Sequence, residues 1–415
     1  MTSITHIKQE RPRLPWLALL ALSTAVFITS LTETLPAGLL PGMSETLGTS
    51  ASMAGQAVTV YAAGTALTAI PLARATARIN RKAVLLWAMG IFAIANTLTA
   101  VVPIYAVMLV GRIVAGVAAG LAWAVLAGYA RRLAPAGLEG RAISIAMTGI
   151  PVALALGVPV GTFIGQHIDW RAAFIAVTVA TIGVIVWITF GVPSVTDSSS
   201  EDAQEAATTR ATLSIPGVLP IMIVVLLYVL GHTVIYSYIA PYLESAQLSG
   251  HIDIILLVFG GASLLSIWLT GRFIDIRLRA LAIFTASLFI IATAVLAATP
   301  TPILVWIAVA VWGLGWGGTP SLLQTAAPRA ASIHSLAAAD TAQAILVTLW
   351  NAAMALGGLL GGAILAGLGT AAIPLTAAIF VVLSLAIIVG ARQHAFPTSD
   401  RLAATAVPEA PDHTS

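Results

Sequence analysis

The chain has 415 residues, of which 59% are hydrophobic and only 8% charged, against roughly a quarter charged in an ordinary soluble domain. So little polar surface excludes a soluble globular enzyme, gives nucleic-acid binding no support and indicates a polytopic membrane protein. The net charge of +3 follows topology and is not gathered on one surface, and with no cysteine there are no disulfides and no thiol chemistry.

Spans long enough to cross a bilayer at roughly 20 residues each fall near 16 to 40, 53 to 72, 83 to 102, 104 to 130, 142 to 165 and 172 to 192. Six more fall near 215 to 242, 252 to 270, 280 to 299, 302 to 325, 341 to 365 and 373 to 391. The expected fold is an all-α membrane protein with twelve transmembrane helices in two six-helix pseudo-repeats around a central cavity. Lys8, Arg11 and Arg13 ahead of the first span resemble a signal peptide. The apolar segment runs on through Leu40, however, and the charge pattern fits best if it is a retained helix.

That first span contains Phe27 to Pro41, where Glu33 interrupts an apolar run. Acids deep in hydrocarbon are rare and usually face a bundle interior; the alternative is a carboxylate at a helix end among lipid headgroups. Pro36 cannot donate to the Thr32 carbonyl, so the helix should kink or open just beyond the acid. Thr29, Ser30, Glu33 and Ala37 share one face, a polar-to-small stripe suited to lining a cavity. In the fourth span Arg112 is the one cation, with Trp123 three turns away.

The fifth span carries Gly149, Gly157, Pro159 and Gly161, small residues that let backbones approach closely and slide, although ordinary tight packing has the same signature. Pro193 to Thr212 is polar, serine-rich and acidic, and reads as a linker between a first half, 1–192, and a second half, 213–392, with a tail over 393–415. The seventh span holds Tyr228, His232 and Tyr236 at i, i+4 and i+8, offering hydroxyls and ring faces to a ligand. His232 is open to two readings, a neutral imidazole bonded within the bundle or a proton carrier. Beyond the eighth span lies a second basic loop with Gly271, Asp275, Arg277 and Arg279, and the eleventh span adds Asn351 and Gly357, Gly358, Gly361 and Gly362.

Basic residues fix the expected orientation. With the N-terminus inside, seventeen Lys and Arg fall on the inner side, Arg171 alone lies in an outer loop, and Arg112 is within a span. Both termini and the linker are therefore expected in the cytoplasm. Repeats reinforce the two halves: Gly157-x-x-x-Gly161 recurs as Gly357-x-x-x-Gly361 and Pro41 as Pro241, at an offset of 200, and the loop after the second span recurs after the eighth at 198. Parallel repeats are a mark of transporter folds.

At about 1.5 Å per residue, Glu33, Arg112 and His232 lie roughly 10 to 15 Å below one membrane face. Glu33 plus 199 is His232, and Arg112 plus 200 is Trp312. The acid and the histidine are expected on opposite walls of one cavity, with Arg112 close enough to Glu33 to interact directly or through one water. A carboxylate beside an Arg changes protonation with water access or with the Arg contact, as a proton carrier requires; a permanent ion pair that only holds helices together is the alternative.

These residues resemble the major facilitator superfamily, specifically the twelve-helix drug:proton antiporter group and the sugar efflux and arabinose-efflux-like transporters within it. The resemblance rests on Thr32-Glu33 through Leu39-Leu40-Pro41, Gly111-Arg112 with Gly116 and Gly120, Gly157-Val-Pro159-Val-Gly161, Trp170-Arg171-x-x-Phe174, Tyr236-Ser-Tyr238-Ile-Ala-Pro241 and Trp312-Gly313. It implies alternating access, proton coupling through Arg112, and a bend at Gly157-Pro159-Gly161 associated with antiport. In the first basic loop Ala77 stands where the family has Asp and Asn80 where it has Gly, while Gly271 and Asp275 keep the pattern, so gating is assigned to Asp275 with Arg277 and Gly271. The resulting expectation is proton-coupled efflux of a sugar, a sugar-like metabolite or an amphenicol-type drug by a monomer in a bacterial cytoplasmic membrane. No cofactor or metal is expected. A facilitator or importer without coupling is the alternative; an intramembrane enzyme is disfavoured because no nucleophile, base or metal ligands cluster.

Overall fold

The computed structural model describes residues 14–76, 79–135, 138–194, 208–298, 301–391 and 395–396. Lys8, Arg11, Arg13, Arg78, Arg392, Arg401, most of the linker and nearly all of the tail lie outside them. Nearly every described residue is helical. The first half contains α1 (Trp16–Thr34), α2 (Pro36–Leu47), α3 (Ala51–Ala75), α4 (Arg81–Val101) and α5 (Tyr105–Leu133). It continues with α6 (Glu139–Met147), α7 (Gly149–Val152), a π turn (Ala153–Gly157), α8 (Val158–His167) and α9 (Trp170–Gly191). The second half contains α10 (Thr209–Ser214), α11 (Val218–Ser237), α12 (Ile239–Ser245), α13 (Ile252–Ala298), α14 (Pro302–Gly317), α15 (Thr319–Ser332), α16 (Leu336–Leu368) and α17 (Ala372–Gly390).

Ten segments are long and apolar enough to cross a membrane among the described residues. One of them, Ser249–Ala298, has 50 residues, on the order of 75 Å of helix against a hydrocarbon core of about 30 Å. It folds back at Arg277, where φ is −131° and ψ is 34°, and so supplies two rods. Its partner rod in the first half, α3, is 25 residues long but less apolar than the ten. Large apolar side chains such as Leu17, Leu67, Trp87, Ile182 and Phe190 point outward and exposed, as a lipid-facing surface requires.

Two breaks in the helices have local causes. Pro36 lacks the N–H that would bond Thr32, so α1 stops at Thr34 and α2 begins at Pro36; Leu35 keeps helical angles and its N–H still reaches the Leu31 carbonyl at 2.8 Å. The interruption is a stutter rather than an opening. Pro159 likewise removes the donor that would serve Ala155, and the preceding turn widens into the π turn.

Residues 209–212, at the end of the stretch read as a linker, are helical in α10, because the Thr208 hydroxyl accepts from the Ala211 N–H at 3.3 Å and caps it. Regular structure in the second half therefore begins at Thr209.

The internal repeat is visible in how the helices are tied. Lys82 at the start of α4 donates to the Thr189 carbonyl at the end of α9, at 2.8 Å. Arg279, at the same place in the second half, donates to the Ile388 and Val389 carbonyls at the end of α17, at 3.1 and 2.7 Å. Each cation satisfies carbonyls that a helix end leaves orphaned. These residues mark one end of the bundle as basic.

The halves meet toward the opposite end. Ser52 Oγ donates to the Gly362 carbonyl at 2.6 Å, Gln56 Nε2 to the Tyr238 hydroxyl at 3.4 Å and Gln166 Nε2 to the Ser249 carbonyl at 3.1 Å. There α2 packs on α12, and α13 packs on α7, the π turn and α8. No comparable packing joins α13 to α6, or α5 to α15, near the basic end among the described residues. Among the described residues the bundle is closed at the end away from Lys82 and Arg279, where α3 also packs on α16 through Ser52, Gln56 and Thr59.

Candidate functional site

Glu33 lies in the last turn of α1 and is 9% exposed, while Arg112 in α5 is fully buried. Arg112 is gripped by α3: its Nε donates to the Ala57 carbonyl at 3.1 Å, and its guanidinium lies over the Tyr61 ring at 4.7 Å and within 5.7 Å of the Phe174 ring of α9. Tyr61 ties the cation to the acid's helix by donating from its hydroxyl to the Thr29 carbonyl at 3.1 Å. Glu33, Arg112 and Tyr61 act on one another electrostatically, yet among the described residues Glu33 and Arg112 are not within ion-pair distance. Both terminal nitrogens of Arg112 are buried without a hydrogen-bond partner. Behind the acid, Asn96 of α4 donates to the Thr32 hydroxyl at 3.3 Å and leaves its own carbonyl oxygen unpartnered.

The second half repeats this arrangement with different chemistry. His232 takes the place of Glu33, and Phe259 and Phe289 those of Tyr61 and Phe92. Gly116 on the Tyr61 backbone and Gly313 on the Phe259 backbone set the fourth and tenth spans 197 residues apart, so Arg112 corresponds to Val309 and not, as an offset of 200 implied, to Trp312. Trp312 nevertheless lies against Phe259 at 4.6 Å much as Arg112 lies over Tyr61. His232 stacks on Trp316 with centroids 3.4 Å apart and planes within 2°, and meets Tyr236, Trp312, Phe259 and Phe289 at 5.2 to 6.2 Å. The cluster is a cage of rings about the imidazole. Four of its polar atoms are buried and unpartnered: His232 Nδ1, Tyr236 Oη, Trp312 Nε1 and Trp316 Nε1. Tyr236 Oη lies near the Thr34 hydroxyl beside Glu33 but outside hydrogen-bonding geometry, so the cage reaches the end of α1.

The other expected cavity residues divide. Tyr228 is buried and its hydroxyl is committed to the Gly315 carbonyl at 2.9 Å, so it holds α11 to α14 and has no donor to spare for a ligand. Asn351 is buried, with its amide nitrogen on the Val347 carbonyl of its own helix at 2.9 Å. Trp123 is half-buried against the core. Of the gating residues, Asp275 pairs with Arg329 of α15 at 2.8 Å, Arg277 forms the corner of α13, and Gly271 has open space where a side chain would stand.

The glycine stripes serve the two helices that carry the acid and the histidine. Side chains at Gly149, Gly157 and Gly161 would strike Ser23 and Phe27, Phe27 and Leu31, and Leu35 of the first span, respectively. Gly357 and Gly361 do the same against Thr233 and Tyr238 of the seventh. Gly358 and Gly362 instead face Thr59, Gln56 and Ser52 across the halves. Sequence reasoning missed Tyr61, Asn96 and Trp316; the offset of 198 that relates the loops after the second and eighth spans would have paired Tyr61 with Phe259.

A cavity of about 470 Å³ opens at the closed end, lined by Pro41, Glu45, Gln166, His167, Glu244 and Ser249 among others. It contains none of Glu33, Arg112 and His232, and lies among α2, α8, α12 and the start of α13. Among the described residues no three His, Asp or Glu side chains group to hold a metal ion.

Residues 22–339 match the Major Facilitator Superfamily. The chain is 30% identical over 358 residues to an uncharacterized transporter of that type, YtbD of Bacillus subtilis, covering 85% of this chain and 89% of the relative. It is 27% identical over 270 residues to a probable sugar efflux transporter of Helicobacter acinonychis, covering 65% and 68%. The solved structure of a nucleoside transporter, a single-substitution mutant of NupG, superposes with a TM-score of 0.70 at 15% identity, covering 90% of this chain and 99% of that one. The matched span covers most of the sequence and the fold agrees with it: the chain belongs to the major facilitator superfamily.

Proposed function

We propose that this transporter exports a small uncharged molecule, a sugar-like metabolite or an amphenicol-type drug, in exchange for protons by alternating access. The observation that carries the coupling is the pair formed by Glu33 and Arg112. A buried guanidinium with two unpartnered nitrogens stands in electrostatic reach of a buried carboxyl without being locked to it. Such a pair can exchange partner for proton as the halves rock, whereas a closed ion pair would hold one state. The basic end faces the cytoplasm of a bacterial cell by the positive-inside bias, with both termini there, and the closed end of the bundle is then the outer one. The name of the Helicobacter relative supports efflux. The protein acts as a monomer, with one cavity per chain, and catalyses no chemical step.

The test is Glu33→Gln, which keeps shape but cannot titrate. In inverted vesicles, efflux driven by a proton gradient is expected to be lost while the protein remains in the membrane and downhill exchange persists. Undiminished uphill transport by this variant would favour the alternative, a facilitator that needs no titratable group.

A further inference from the structure

The cage in the second half has features that helix packing does not require. His232, Tyr236, Trp312 and Trp316 are each more than nine-tenths buried, touch one another through their rings, and leave one polar atom apiece without a partner. Burying such groups unbonded is costly, and native structures leave few of them. In the first half Gly116 packs on the Tyr61 backbone as Gly313 packs on the Phe259 backbone, so the place of Trp316 is taken by the fully buried Ala119 and that half has no second ring there. The two halves have diverged around this site, one toward charge and one toward rings.

The unpartnered atoms specify a ligand. An indole nitrogen can only donate; phenol and imidazole can do either. The cage thus offers two obligate donors and no obligate acceptor among its unpartnered atoms, on rings of which His232 and Trp316 stack flat. Trp350 of α16, half-buried and 5.7 Å from Trp316 at 46°, gives the cage its more open side. A free sugar brings a proton on every hydroxyl, more than the one phenol and one imidazole nitrogen here can accept. A flat ring with carbonyl or ring-nitrogen acceptors would satisfy the donors in its plane and stack through its faces.

We propose that the cage of His232, Tyr236, Trp312 and Trp316 is the substrate site, and that it selects a flat, uncharged, acceptor-bearing ring over a free sugar; this narrows the substrate of the transport function proposed above and rests on it. Trp312 and Trp316 determine specificity, while Glu33 and Arg112 serve the proton.

Caffeine, a flat ring system with carbonyl and ring-nitrogen acceptors and no N–H or O–H, is the probe, and arabinose the comparison. Calorimetry on the purified full chain in lipid nanodiscs is expected to show saturable caffeine binding that excess arabinose does not displace. Trp312→Phe and Trp316→Phe should each weaken it roughly three- to tenfold, the worth of one hydrogen bond. Trp87→Phe, on the exposed surface, should leave it unchanged. No saturable caffeine binding to the wild type, displacement by arabinose, or unaltered affinity in both folded cage variants would overturn the proposal. If the variants melt early, the competition on the wild type decides alone. Glu33→Gln separates the two readings: a protein that binds caffeine yet keeps uphill transport in this variant loses only the coupling role, and one that couples protons to another solute without binding caffeine loses only the cage.

Discussion

Arg112 carries five N–H donors into a place where α3 satisfies one of them, through the Ala57 carbonyl. A buried cation left in this state is penalised by several kcal/mol, and stacking on Tyr61 returns about 2 kcal/mol of that. The remaining donors are held ready for a carboxylate or water, which is the requirement for a switch. A lysine could reach either the Ala57 carbonyl or the cavity, not both, and has no plane to lay on Tyr61. Arg112→Lys is therefore expected to lower proton-driven efflux at least about tenfold with unchanged protein level, measured in the same vesicles; retention of half the activity would mean that a point charge suffices. Asp275 differs: its partner Arg329 is at 2.8 Å, but the carboxyl is largely exposed, so the bond it makes between α13 and α15 adds little to stability.

The helix that carries Glu33 is seated on the glycine face of the fifth span. The quality of that seat varies along it. At Gly149 an added methyl would meet the Ser23 carbonyl and the Phe27 nitrogen, both backbone, whereas at Gly161 it would meet only the tip of Leu35. Gly149→Ala should consequently lower thermal stability in detergent by the cost of overpacking, about 1 to 3 kcal/mol, and Gly161→Ala by less, because Leu35 can turn aside. Gly183→Ala, where nothing lies within 4 Å, should be neutral or slightly stabilising through helix propensity. Equal losses at positions 149 and 161 would show that the face tolerates no methyl anywhere and is not graded. The π turn adds a second adjustable joint directly beside this seat, so α1 lies between two irregular turns, its own at Leu35 and its neighbour's at Ala153–Gly157.

At the scale of the whole molecule, the two halves are joined by few polar bonds, concentrated away from the basic end. An ideal side-chain carbon on Gly362 would stand 3.1 Å from Ser52 Oγ, within disulfide reach. Because the natural chain has no cysteine, the double variant Ser52→Cys with Gly362→Cys has no competing thiols. Oxidation should cross-link it and arrest transport, and reduction should restore it. Cross-linked protein that still transports at the wild-type rate would mean that this contact never opens, and alternating access about it would be wrong.

The sequence by itself determined the class of fold and most of the spans. These rest on local quantities: apolar length against bilayer thickness and a proline's missing donor. It also reached Glu33, Arg112 and His232, since ionisable groups in apolar spans are few enough to name. Tertiary structure decided what surrounds each of them. That Arg112 is gripped by the Ala57 carbonyl and Tyr61 and not paired to Glu33, that Tyr228 has no free hydroxyl, and that His232 lies face to face with Trp316 all depend on side chains from helices far apart in the chain. Which end of the bundle is closed was likewise decided there, because a rocking fold presents the same spans in either state and only the contacts between halves distinguish them.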